Sequence, residues 1–152
     1  MSQVIESPRQ ADLEMQLLRA RELMEVATLD YKRMLKAVHR QLTQTQMANV
    51  LRLSQPAVAK ALQRAESVPD AVGEFKAASP HEVCQRYAAG LIDREEVIRE
   101  LVAWPYRSAP EINEFGELES STAGTFTDVE NAVSFGLIDD AIYEEVFNQL
   151  TA

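Results

Sequence analysis

Between Arg9 and Gln55 the chain contains neither glycine nor proline. Those two residues punctuate secondary structure, and a stretch this long without either is hard to fold except as helix. Elsewhere glycine is also scarce, with 5 residues in the chain, β-branched runs are absent and helix-capping residues recur. The expected fold class is all-α: a long N-terminal helix, a helix-turn-helix unit and C-terminal helical hairpins.

Within the unbroken stretch, Leu13, Leu17, Ala20, Met24, Ala27, Tyr31, Met34 and Val38 follow one another at alternating steps of four and three. That is a heptad seam on a helix from about Gln10 to Gln41. The segment reads as one long helix or two stacked ones, because Asp30 in Thr28-Leu29-Asp30 is able to cap a second helix from Tyr31. Two readings of the seam stand side by side. It lies on the chain's own core, or it joins two chains as a coiled coil through Leu13, Leu17, Met24 and Tyr31. Ala20 and Ala27 weaken the second.

Charge is distributed unevenly. The chain has 152 residues and a net charge of −9, which by itself argues against nucleic acid. Yet Tyr31 to Ala65 holds Lys32, Arg33, Lys36, Arg40, Arg52, Lys60 and Arg64 and no carboxylate. Glu66 to Ala152 holds 18 acidic and 5 basic residues, net −13. A solvated face ordinarily mixes signs, whereas a purely cationic block suits binding to phosphates.

That block contains the most informative local pattern. Thr43 with Gln46 three residues on forms a capping box, predicting a helix from Gln44 to about Leu51. Ser54 is a second N-cap, and Pro56 in the first turn suits a helix from Gln55 to about Glu66. Met47, Ala48, Leu51, Leu53, Val58, Ala61 and Leu62 fall where two crossing helices need a core. Gln55, Pro56, Ala59, Lys60 and Gln63 then form the outer face of the second helix. Arg52 stands in the turn, where glycine is usual because the backbone needs a positive φ; a side chain there costs on the order of 1 kcal/mol.

Leu42-Thr43-Gln44-Thr45-Gln46-Met47-Ala48 resembles the first part of helix-turn-helix regulators of the Cro and phage-repressor type. Leu53-Ser54-Gln55-Pro56-Ala57-Val58 resembles the recognition-helix start of LysR-type regulators. The likeness covers about 22 to 25 residues and assigns no family to the C-terminal half. It implies double-stranded DNA as partner and Gln44, Ser54, Gln55, Pro56, Ala59, Lys60 and Gln63 as contact residues. By resemblance Gln44 braces Gln55 and touches phosphate, while Gln55 reads a base. Glutamine is able to pair bidentately with adenine, and Pro56 and Ala59 suit a thymine methyl. Arg40, Arg52 and Arg64 are candidates for backbone phosphates.

The chain divides into an N-terminal unit, residues 1–68, and an acidic helical unit, residues 79–152. Val68 to Ala78 reads as a linker, and residues 106–126, rich in Pro, Ser, Gly and Glu, as a flexible acidic loop. Ser79-Pro80-His81-Glu82 and Asp93 are strong helix starts. Ala-Gly-Leu-Ile-Asp at 89–93 echoes Phe-Gly-Leu-Ile-Asp at 135–139. In each copy Gly ends a helix in the left-handed conformation, Leu-Ile bury in a shared core and Asp caps the next helix. Thr127 to Glu130 opens another capped helix.

Cys84, the one cysteine, reads as a buried small hydrophobe. His39 and His81 read as surface or capping groups, and Trp104-Pro105-Tyr106 as an anchor for the loop. There is no zinc spacing, phosphate loop or nucleophile elbow, so no metal, no cofactor and no enzymatic activity are expected. No apolar run nears the ~20 residues of a membrane helix, and Met1 to Gln10 lacks a signal-peptide core. The expectation is a cytoplasmic, nucleoid-associated transcriptional regulator, a repressor rather than an activator, acting as a homodimer. Its acidic half is a candidate for dimerisation or for a basic protein partner. Two alternatives are an antitoxin that represses its own operon and neutralises a toxin, and a protein-interaction adaptor without specific DNA binding.

Overall fold

The computed structural model describes residues 7–118 and 121–152. Seven helices follow one another in these residues: α1 (Pro8–His39), α2 (Gln44–Leu51), α3 (Gln55–Ala65), α4 (Pro80–Ala88), α5 (Arg94–Ala103), α6 (Thr127–Ser134) and α7 (Asp140–Thr151). Among them there is no strand, only a single isolated bridge between Ile112 and Leu118. The all-α class holds.

α1 is one continuous helix. Ser7 caps it by accepting from the Gln10 amide, with Pro8 in the first turn. The candidate break at Thr28 is absorbed, because its hydroxyl donates to the Met24 carbonyl one turn back. Asp30 caps nothing and instead accepts from Arg86.

From Leu13 to Met34 the heptad seam does not lie on the chain's own core; Val38 alone packs, half-buried, against the smaller core described below. Leu17 is 74% exposed, Met24 65%, Met34 60% and Leu13 54%, and Tyr31 is exposed beside them. The opposite face packs inward, through Leu18 against the C-terminal core, fully buried Val26, and polar Glu22 and Arg33. That face is unusual because polar pairs form much of it. Arg33 donates two bonds to Glu82 at 2.9 and 2.6 Å. Arg86 reaches Asp30 at 2.6 Å and Glu82 at 3.1 Å, and Gln85 bonds both Glu22 and Glu25. Burying charges is tolerated where each meets an opposite charge with its hydrogen bonds made. These contacts fix α4 along the middle of α1.

At its other end α1 carries the short helices. Leu35, Met47, Ala48, Val58 and Leu62 form a small second core, with Val38, Leu42, Leu51 and Ala61 around it. Leu53, expected in this core, is 46% exposed: it follows the αL residue that ends α2, and the chain there runs outward before α3 begins.

The four C-terminal helices make two hairpins, α4 packing on α6 and α5 on α7. Their turns are the same device used twice. Gly90 and Gly136 take φ of 80° and 76°. Leu91 N–H donates to the Arg86 carbonyl and Gly90 N–H to Tyr87, and Leu137 to Ala132 and Gly136 to Val133. That pair of bonds is the Schellman motif. Asp93 and Asp139 then cap α5 and α7. The expectation that both Leu-Ile pairs bury needs correcting, since Leu137 and Ile138 are buried but Leu91 is exposed. A second correction concerns α6, which has Phe126 at its N-cap position and no side-chain cap. Thr125 takes that part from one residue earlier, accepting from the Thr127 amide.

Cys84 is fully buried in this core, and burial pushes its thiol up to about 12, so it stays protonated at neutral pH. Trp104 lies against Phe75 with ring centroids 4.7 Å apart, and the Tyr106 hydroxyl donates to the Leu101 carbonyl. Val68 and Ala77 in the connector are buried as well. Within residues 106–126, the Arg107 guanidinium bonds the carbonyls of Ser121 and Ala123, so the segment folds back on its own base. Glu119 and Ser120 of this segment lie outside the described residues. Because α1 packs on α3 and on α4, the two sequence units share one helix. No helix among the described residues is long and apolar enough to cross a membrane.

Candidate nucleic-acid interface

The two short helices are set by their caps. The Thr43 hydroxyl accepts from the Gln46 amide at 3.1 Å, and the Gln46 side chain accepts from the Thr43 amide at 2.9 Å, completing the box. Ser54 accepts from Ala57 at 3.2 Å. Between them Arg52 has φ 55° and ψ 43°, the one non-glycine residue with positive φ among those described. The turn therefore keeps the left-handed geometry usually given to glycine, and Arg52 points its exposed side chain away from the core.

The left-handed turn at Arg52 and the Ser54 cap lead the chain into α3. Val58, Leu62 and Ala65 face inward, with Val58 and Ala65 wholly buried. At 100° per residue the opposite side presents Pro56, Lys60 and Gln63, with Ala59 on its flank, while Gln55 lies nearer the buried side and is exposed because it is the first residue of α3. All are exposed except half-buried Ala59, whose small side chain keeps that flank low. A helix with such a face is of the shape and width that the major groove admits. Ser54, at the mouth of the helix, is exposed too.

Gln44 stands at the first position of α2, half-buried. Its side chain and that of Gln55 make no hydrogen bond to each other among those of the described residues.

The cationic block separates into two groups. Arg33 and Lys36 are engaged inside the fold. Arg33 is held by Glu82, whose hydrogen bond raises the guanidinium pKa further, and also donates to the Pro69 carbonyl. Lys36 bonds the Val68 carbonyl and Asp70, and that bond holds the Asp70 carboxyl below its ordinary range. Arg40, Arg52, Lys60 and Arg64 are exposed and make no ion pair among the described residues. They sit at the end of α1, in the turn, on the outer face of α3 and in its last turn. Lys32, half-buried, stands outside both groups and makes no ion pair among the described residues, so the exposed charge footprint of the unit is four cations, smaller than the seven counted along the sequence.

Val50 on α2 is 75% exposed. It lines a wholly apolar groove with Tyr31, Met34, Leu35, Val38, Leu42, Met47 and Leu51. Its signal in the sequence is that it is apolar yet falls off the Met47-Ala48-Leu51 spacing.

Compared with known proteins, the chain matches no family model, no curated protein and no solved structure.

Proposed function

We propose that this protein is a sequence-specific DNA-binding transcriptional regulator, a repressor, that reads double-stranded DNA with α3. The observation that carries the reading is the conjunction at α3. An outward face with no carboxylate carries Lys60 and is flanked by the exposed, unpaired Arg40, Arg52 and Arg64, in a chain otherwise strongly acidic. Gln55 and Lys60 are the base-reading candidates, glutamine to adenine and lysine to guanine, while Pro56 and Ala59 meet thymine methyls. Arg40, Arg52 and Arg64 hold phosphates on either side of the groove and set register. Gln44 and Ser54 lie at the helix starts, where backbone amides also favour phosphate. The acidic half is repelled by DNA and sits away from it. Regulators of this build act as homodimers on paired half-sites, and the exposed seam of α1 is the candidate contact.

The double variant Gln55→Ala with Lys60→Ala tests the assignment. Both side chains are exposed, so the fold should stay intact by circular dichroism. Each lost base contact should weaken specific binding by about 1–3 kcal/mol, together at least tenfold, with non-specific affinity changed far less. Unaltered affinity and unaltered sequence preference in the double variant would remove α3 from the reading role.

A further inference from the structure

We infer that two copies of this chain pair through α1 in antiparallel orientation, each copy's Leu13 entering the groove beside the other's helix-turn-helix. This deepens the homodimer reading above by specifying which contact is made and which way round.

The seam from Leu13 to Val38 is ~38 Å long at 1.5 Å per residue. At one helix width it is an apolar strip on the order of 400 Å², within the range of the largest patches monomers carry, which are often functional. A heptad seam is by construction complementary to another helix of the same kind, which makes a second copy its natural occupant.

Three observations choose the orientation. First, α2 rises on the seam side at the C-terminal end of α1, since seam residues Tyr31, Met34 and Val38 share the groove with Met47, Val50 and Leu51. A parallel pair would bring both helix-turn-helix units to the same level on the shared face. Second, the seam is bare at the N-terminal turns of α1, where Leu13 and Leu17 are both exposed. Antiparallel pairing places this bare end beside the partner's groove. Third, the small residues are offset. In a parallel pair Ala20 meets Ala20 and Ala27 meets Ala27, leaving two underfilled layers. In the antiparallel register that overlaps the whole seam, Ala20 faces Tyr31, Ala27 faces Met24, Leu17 faces Met34 and Leu13 faces Val38. Every alanine then meets a large side chain, the alternation that close packing requires. The groove, about 160 Å³ and without polar lining, takes the leucine.

The test uses the full chain in the absence of DNA, so its result is independent of whether α3 reads DNA. Cys84 is buried, which leaves an introduced cysteine as the accessible thiol. Sedimentation at tens of micromolar should give a dimer for the native chain and a monomer of unchanged helicity for Leu17→Asp with Met24→Asp. Under mild oxidation a mixture of Leu17→Cys and Met34→Cys chains should form the mixed covalent dimer, and Leu17→Cys alone should not cross-link. A monomeric native chain overturns the proposal. So does a dimer in which Leu17→Cys links to itself, the parallel signature, or one in which neither arrangement links.

Discussion

Arg52 shows how far single residues decide this fold. Its φ of 55° is a conformation that L-residues occupy at a cost of about 1 kcal/mol, and the closure of α2 onto α3 depends on it. Replacing it with glycine should relieve that strain, and once the greater freedom of the unfolded glycine, roughly 0.4–1 kcal/mol, is subtracted the chain should be unchanged or more stable by up to about 0.5 kcal/mol, read as a urea midpoint that does not fall. The same change should lower the slope of log affinity against log salt by about one, if Arg52 holds a phosphate. A drop in stability would contradict the strain; an unchanged salt slope would remove Arg52 from the interface. The capping residues Thr43, Ser54, Ser79, Asp93 and Asp139, and the glycines at 90 and 136, were legible in the sequence for a related reason. A cap is a local device whose partner lies a few residues away, so its geometry does not wait on the tertiary fold. Thr125 was not legible, because its role depends on Phe126 taking a helical conformation in the position a cap would occupy.

At the scale of elements, α1 is where sequence and structure part. Apolar periodicity marks the face of a helix that is suited to burial, but in this chain most of that face is exposed. It cannot say which partner covers that face, and the chain's own core takes the other side. That other side escaped notice because its middle is built from Glu22, Arg33, Glu82, Gln85, Arg86 and Asp30, residues that ordinarily signal a solvated surface. Their pairing partners are 49 to 63 positions apart for the Arg33–Glu82, Arg86–Asp30 and Gln85–Glu22 bonds, beyond what any local pattern conveys. Partners 32 to 49 positions away likewise hid the loss of Arg33 and Lys36 from the cationic footprint. Glu82 accepts from Arg33 and Arg86 together, so Glu82→Ala leaves two buried guanidiniums short of a counter-charge. It should cost about 3 kcal/mol or more, measured by urea denaturation. A loss below 1 kcal/mol would mean that the polar layer contributes little to holding α4 on α1.

Across the whole molecule, charge and symmetry work together. The four exposed free cations lie at one end of the molecule, and half of the 18 acidic residues of the C-terminal part lie on α4 to α7, of which α4 packs along the middle of α1. In the antiparallel pair, α3 of each copy sits near the level of Leu35, placing the two recognition helices roughly 30 Å apart along the helix axis. That is close to the ~34 Å turn of B-DNA, the usual separation of paired half-sites. The central claim is that α3 reads a DNA sequence. The most direct measurement is selection of bound genomic fragments at physiological salt, followed by a hydroxyl-radical footprint on the best of them. The prediction is two protected blocks about one helical turn apart on one face of the duplex, bound at least ~10³-fold more tightly than unrelated DNA. Uniform weak protection, with all fragments bound alike, would contradict it.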